Sequence, residues 1–236
     1  MIPYSKYDIE VTSRSSKKKP VPVKKVKQQI LEICKRLHAR NMLAAADGNV
    51  SYRISDKQIL ITPSGISKAY MTIADIAVIT IDNKIISGNP SSERLMHLQV
   101  FKSCPEAVAV IHAHPVHAIA WSIAKPHLKK LPSHCLSEVI LATGDIPFVP
   151  YARPGSQTMG QVLIPFLPEH RALILKRHGA ITWGWDLEEA YRGMERIENS
   201  CEILYLAEKM GGLNPLPLEE VKFLYSLRKK IGPVLL

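Results

Sequence analysis

Apolar positions recur along this chain in two rhythms, one near 3.6 residues and one near two, which separate helices from strands. Val26, Ile30, Ile33, Cys34 and Leu37 form one stripe of a helix predicted over Val23–Arg40, with lysines on its other side. Val50–Ile54 and Gln58–Ile61 have strand character and turn through Ser55-Asp56-Lys57. Ile76–Ile81 and Lys84–Ile86 form a second such pair around Asp82-Asn83. A helix is expected to begin at Pro90-Ser91-Ser92-Glu93, where serine can cap and glutamate suits the first turn, and to stop at Cys104-Pro105.

Val108-Ala109-Val110-Ile111 reads as a buried strand, and a short helix is predicted over Val116–Ile123. A strand at Ile146–Val149, a helix from Ser156 to Phe166 and a strand ending at Leu175 follow. Asp186 is expected to cap a long helix whose period runs from Leu187 to Tyr205 and which Gly211-Gly212 stops. Glu219–Lys230 reads as a last short helix. Strand pairs joined by short turns argue for a mixed or antiparallel sheet with helices packed on it, not a doubly wound parallel one.

Composition then sets limits. A chain of 236 residues with 46% hydrophobic content can bury a large core. It has no run of about 18 apolar residues, so no membrane span is expected. Its first residues lack the apolar stretch of a secretory signal. The four cysteines, Cys34, Cys104, Cys135 and Cys201, stand far apart, which reads as reduced thiols in a cytoplasmic protein.

The net charge of +10 is concentrated in Arg14–Lys27 and Arg228-Lys229-Lys230. Residues 1–21 are therefore expected to form a flexible basic arm, with one folded domain over 22–236. No aromatic-interleaved basic surface accompanies the charge, so nucleic acid is not the expected partner. A positive field also suits an anionic, phosphorylated substrate.

His112-Ala113-His114 carries the candidate chemistry. Histidines at i and i+2 on a strand share one face of a sheet, and His178, followed by Gly179, stands at the end of another apolar run. Three imidazoles leave one coordination position open, the arrangement of a catalytic metal. Three further segments look too specific for ordinary loops. They are Gly48-Asn49-Val50-Ser51, Thr62-Pro63-Ser64-Gly65 and Ser91-Ser92-Glu93. A Pro/Gly loop can form a nest of N–H groups, and two serines at a helix start can hold phosphate. Each also has an ordinary reading, as a turn or a helix cap.

In this order and approximate spacing, these five motifs resemble the class II aldolase/adducin family over roughly Val23 to Gly211. The resemblance implies an α/β fold, a single three-layer α/β/α domain with a mixed, largely antiparallel central sheet. It implies that His112, His114 and His178 bind Zn2+ or another divalent transition metal, with Glu93 approaching the metal in the resting state. Asn49, Ser64, Gly65, Ser91 and Ser92 match its phosphate-binding groups, and Glu93 matches its catalytic acid/base.

The implied activity is aldol cleavage of a short ketose or deoxyketose 1-phosphate, such as L-fuculose 1-phosphate. The products are dihydroxyacetone phosphate and a small aldehyde, by way of an enediolate. Sugar-phosphate epimerase, methylthioribulose-1-phosphate dehydratase and sugar-acid phosphate decarboxylase are the alternatives, with a non-catalytic adducin-like scaffold as the reading from another class. A homotetramer is implied as well.

One departure stands out. The tyrosine expected about twenty residues beyond HxH is missing from Pro132-Ser133-His134-Cys135-Leu136-Ser137-Glu138, where Glu138 or His134 are the candidate substitutes. His117 is expected to be structural. His97, one turn after Glu93, is a candidate to face the site, with a structural place as the alternative. Trp183 and Trp185 are expected to pack, and Tyr151–Gly155 resembles a family loop near the site.

Overall fold

The computed structural model describes residues 21–232 and residue 235. The arm expected over residues 1–21 lies outside these apart from Val21. The helices are α1 (Val23–Ala39), α2 (Arg94–Ser103), α3 (Val116–Ala124), α4 (Ser137–Ala142), α5 (Thr158–Gln161), α6 (Leu187–Lys209) and α7 (Leu218–Ile231). The strands are β1 (Asn49–Arg53), β2 (Gln58–Ile61), β3 (Ala77–Thr80), β4 (Ile85–Ser87), β5 (Ala109–Ala113), β6 (Phe148–Val149), β7 (Ala172–Leu175) and β8 (Gly179–Gly184).

The strands form one sheet in the order β4-β3-β2-β1-β5-β8-β7-β6. Every neighbouring pair is antiparallel except β6 and β7. Strand alternation splits the core into two layers. Val50, Leu60, Ala109, Ile111, Ile174 and Ala180 face the layer of α1, α3, α4 and α6. Ile59, Ile61, Val110, Leu173 and Ile181 face the layer of α2 and α5. This is the expected α/β fold of three layers around a mixed, largely antiparallel sheet.

Burial, not capping, holds α1. Its N-terminus has no side-chain cap and no acidic residue in the first turn, while Lys24, Lys25 and Lys27 oppose the helix dipole. The stripe Val26, Ile30, Ile33, Cys34 and Leu37 is fully buried, as its spacing predicts. In α6, Asp186 accepts a hydrogen bond from the Glu189 N–H at 2.8 Å, the expected cap, and Glu188 and Glu189 suit the positive end of the dipole.

Three expectations need correction. The helix expected to start within Pro90-Ser91-Ser92-Glu93 begins at Arg94, just past that segment, with Glu93 rather than a serine at its cap position. The helix expected from Ser156 to Phe166 is only the short α5 followed by a 3₁₀ turn at Ile164–Phe166. Strand β8 and helix α4 lie where no element was expected. β8 is buried at all six positions, and a strand covered on both faces loses the alternation that marks strands.

Candidate active site

The site is built where β1, β5 and the β7–β8 turn meet. Asn49 of β1 is the direct cross-strand partner of His112 of β5, and both side chains project toward the α2 layer. His114 follows at the same parity, its N–H held by the Met42 carbonyl at 2.8 Å. His178 sits in the turn before β8. Gly179 is required there: a Cβ would meet the Ala113 carbonyl oxygen and lie 2.9 Å from ring atoms of both His112 and His114. Gly48, at φ +69°, likewise has no room for a Cβ beside Leu43 and the His112 carbonyl.

Three imidazoles converge. Their ring centroids lie 4.8–5.1 Å apart, and one ligand atom from each falls within 4.8 Å of the others. The ring tautomers follow from their partners. His112 Nδ1–H donates to the Ala180 carbonyl at 2.9 Å, and His114 Nδ1 lies 3.4 Å from Asp47, so each ring turns an unprotonated Nε2 inward. Those two Nε2 atoms stand 3.1 Å apart. Lone pairs facing one another at that distance repel, and a shared cation removes the conflict. The donor set therefore fits a divalent metal ion held by His112, His114 and His178.

Glu93 faces this cluster. Its carboxylate lies 3.4 Å from His112 Nε2 and 3.1 Å from His178 Nε2 and accepts a hydrogen bond from Asn49 Nδ2 at 2.9 Å. Burial alone would raise its pKa. The His178 hydrogen bond, the charges of His112 and His178, and the Asn49 amide outweigh burial and hold it well below the usual carboxylate range. Burial pushes His112 down to about 3 against the pull of Glu93. Burial also lowers His114, with the His178 charge acting in the same direction and Asp47 and Glu93 opposing.

Behind Glu93 runs a buried relay. Asn49 donates to Glu93, so its Oδ1 must accept, and His97 Nε2–H is the donor. His97 Nδ1 then accepts from the Ser51 hydroxyl at 2.6 Å. Burial pushes the His97 pKa down to about 4, against the Glu93 charge, which keeps the ring neutral as this tautomer requires. His97 therefore acts on Glu93 through Asn49 and does not line the cavity.

A cavity of about 450 Å³ joins these groups. Asn49, Ser64, Gly65, Ser91, Ser92, Glu93, His114 and His178 all line it, while His112 is buried behind its wall. Not every expected N–H donor is available. The Ser64 N–H donates to the Asn89 carbonyl at 3.0 Å and the Ser91 N–H to Thr62 at 3.1 Å. The amides of Gly65 and Ser92 have no acceptor among the described residues. Pro154 and Gly155 of the expected nearby loop reach the cavity. So do Asp47 and Lys68, which no sequence signal had singled out.

Other candidates lie elsewhere. Glu138 is exposed on α4 and His134 is exposed in the 3₁₀ turn Ser133–Cys135, and neither lines the cavity. His117 Nδ1 pairs with Glu198 at 2.8 Å, outside the triad. Trp183 is buried and stacks with Trp185 on the Arg171 guanidinium, each ring centroid 4.3 Å away. All four cysteines are free thiols, and three are buried.

Comparison with known proteins agrees with this geometry. Residues 28–205 match the family described as Class II Aldolase and Adducin N-terminal domain. The chain is 30% identical over 182 residues to L-fuculose phosphate aldolase of Methanococcus maripaludis, covering 77% of this chain and 97% of that one. It is 28% identical over 187 residues to 3-oxo-tetronate 4-phosphate decarboxylase of Escherichia coli O6:H1, covering 77% and 86%. The solved structure of YgbL from Klebsiella pneumoniae superposes with a TM-score of 0.80 at 27% identity, over 86% of this chain and 99% of that chain.

Proposed function

The chain belongs to the Class II aldolase and adducin family, as a metal-dependent lyase within it, and we propose that it cleaves a short ketose or deoxyketose 1-phosphate. L-Fuculose 1-phosphate is the type substrate, and dihydroxyacetone phosphate and a small aldehyde are the products. The observation that carries this reading is the position of Glu93. Its carboxylate lies within 3.4 Å of two of the three converging imidazoles, in the same cavity as Ser64, Gly65 and Ser92.

His112, His114 and His178 would hold zinc, which three imidazoles and an open position suit, although the same donors take other divalent transition metals. A bound ion supplies Lewis acidity at a substrate oxygen. The protein does the rest. Glu93 delivers or removes the proton at the carbon next to the substrate carbonyl, with one oxygen fixed by Asn49. The Ser64, Ser91 and Ser92 hydroxyls and the Gly65 and Ser92 amides hold the phosphate. Binding that remote dianion helps to position the bond that breaks.

A second reading is supported by a second kind of relative and by one absence. The relatives are 3-oxo-tetronate 4-phosphate decarboxylases, the one named above among them. The absence is that of a tyrosine, both in Pro132–Glu138 and among the described residues that line the cavity. Loss of carbon dioxide from a 3-oxo acid leaves the same electron pair beside a carbonyl, and it needs no proton donor at an aldehyde oxygen. Epimerisation and dehydration are further outcomes on the same scaffold. In the aldolase reading, Glu138 keeps a part only if a neighbouring copy supplies it to this cavity, which ties it to the proposed homotetramer. Light scattering gives the assembly state.

The test is product analysis with zinc-loaded protein on L-fuculose 1-phosphate and on 3-oxo-tetronate 4-phosphate. Dihydroxyacetone phosphate with an aldehyde, abolished by chelator, is the expected result. Carbon dioxide as the co-product selects the second reading. No product from either substrate sinks both.

A further inference from the structure

Lys68 is a buried lysine, only 3% exposed, in the wall of the cavity. Its Nζ donates to the Ala46 carbonyl at 2.6 Å and to the Ile66 carbonyl at 2.8 Å. These carbonyls belong to two different loops. One leads through Asp47 and Gly48 to Asn49, and the other follows Ser64 and Gly65. The lysine therefore ties together the two segments that meet at the phosphate end of the site.

Its charge is only partly balanced by the fold. An ammonium has three N–H donors, and two are used. The third has no acceptor among the described residues, and Nζ forms no ion pair with any of their carboxylates. Burial pushes the ammonium below the usual lysine range, and the nearby charges, Asp47 and Glu93 among them, only partly oppose this. Burying a cation that no carboxylate contacts directly is unfavourable. Lys68 is also the only lysine or arginine among the described residues that line this cavity. Its charged surroundings there, Asp47 and Glu93, repel a phosphate, while the serine hydroxyls and loop amides bring no full charge.

We propose that Lys68 is the cationic contact for a phosphate monoester dianion and that its two carbonyl bonds hold the Asn49 and Ser64 loops around that dianion. The proposal rests on the sugar-phosphate reading of the site. It predicts that the cavity prefers a dianion to a neutral hydroxyl at this end, because only the dianion brings a full counter-charge into contact with Nζ.

The probe is inorganic phosphate, titrated by calorimetry into the metal-loaded protein. Lys68→Gln removes the charge but keeps an amide able to donate to the loop carbonyls. The expected result is phosphate binding weaker by on the order of tenfold or more in Lys68→Gln, with metal content and melting temperature kept and the KM for the ketose phosphate raised in parallel. A folded Lys68→Gln that binds phosphate as the wild type does overturns the role of Lys68 and leaves the proposed function standing. Wild-type protein that neither binds phosphate nor turns over a phosphorylated ketose overturns both. Should Lys68→Gln fail to fold, Lys68→Arg decides: the charge is kept, so retained phosphate affinity supports the proposal and a tenfold loss defeats it.

Discussion

Asn49 and His112 stand opposite each other across β1 and β5, so one cross-strand pair supplies both the amide that holds Glu93 and the innermost imidazole of the triad. Register thus sets the distance between Glu93 and the three imidazoles. A one-residue slip of β1 against β5 would turn Asn49 to the other face of the sheet, away from Glu93.

Glu93→Gln keeps the shape of the side chain and its contact to Asn49 while removing the proton acceptor. Turnover should fall by on the order of 10²–10⁴-fold, with the metal content by elemental analysis unchanged. Full activity with metal bound would refute the acid/base role.

Metal removal should lower stability as well as activity. An ion that binds only the folded protein adds about 2.7 kcal/mol at a hundredfold excess over its Kd. Thermal melts with chelator, and then with zinc restored, should show a reversible fall in Tm. In His112→Ala that response should vanish, since the ring tied to Ala180 is gone.

Gly179→Ala should cost about 1–3 kcal/mol or more through overpacking and should also weaken metal binding. The added methyl meets the Ala113 carbonyl and the rings of His112 and His114 together. Urea unfolding and metal titration test the two effects. Wild-type values for both would show that the turn can shift at no cost.

Acid should destabilise the metal-free protein through His97. Its folded pKa is about 4, below the unfolded value of about 6.5. Between those values the unfolded chain binds the proton and the folded one does not. Stability is therefore highest, as far as this group is concerned, above about pH 6.5, and it falls as the pH drops towards 4. The slope is about 1.4 kcal/mol per pH unit for one such proton. His112, pushed down to about 3, acts in the same direction. Urea unfolding at pH 7 and pH 5 measures the loss. A His97→Gln variant that keeps the full slope would show that the proton is taken up elsewhere.

Much of the molecule was legible in the amino-acid order. Helical period alone predicts the buried stripe of α1 and the capped start of α6, because each depends on residues within a few positions of one another. His112 and His114 share a face for the same local reason, and the Pro/Gly loop and the serine pair that reach the cavity carry their own composition. What depends on distant partners was not legible. β8 lacks alternation because both of its faces are covered, yet it brings Gly179 beneath the two rings. Glu93, not a serine, stands at the N-cap of α2, while the Ser91 N–H bonds the distant Thr62 carbonyl. Tertiary packing decides that His97 acts through Asn49 and that Lys68 clasps two loops, and it leaves Glu138 outside the cavity. Sequence period encodes which way a side chain points along its own element. Which group it meets there is set by strand register and burial across tens of residues.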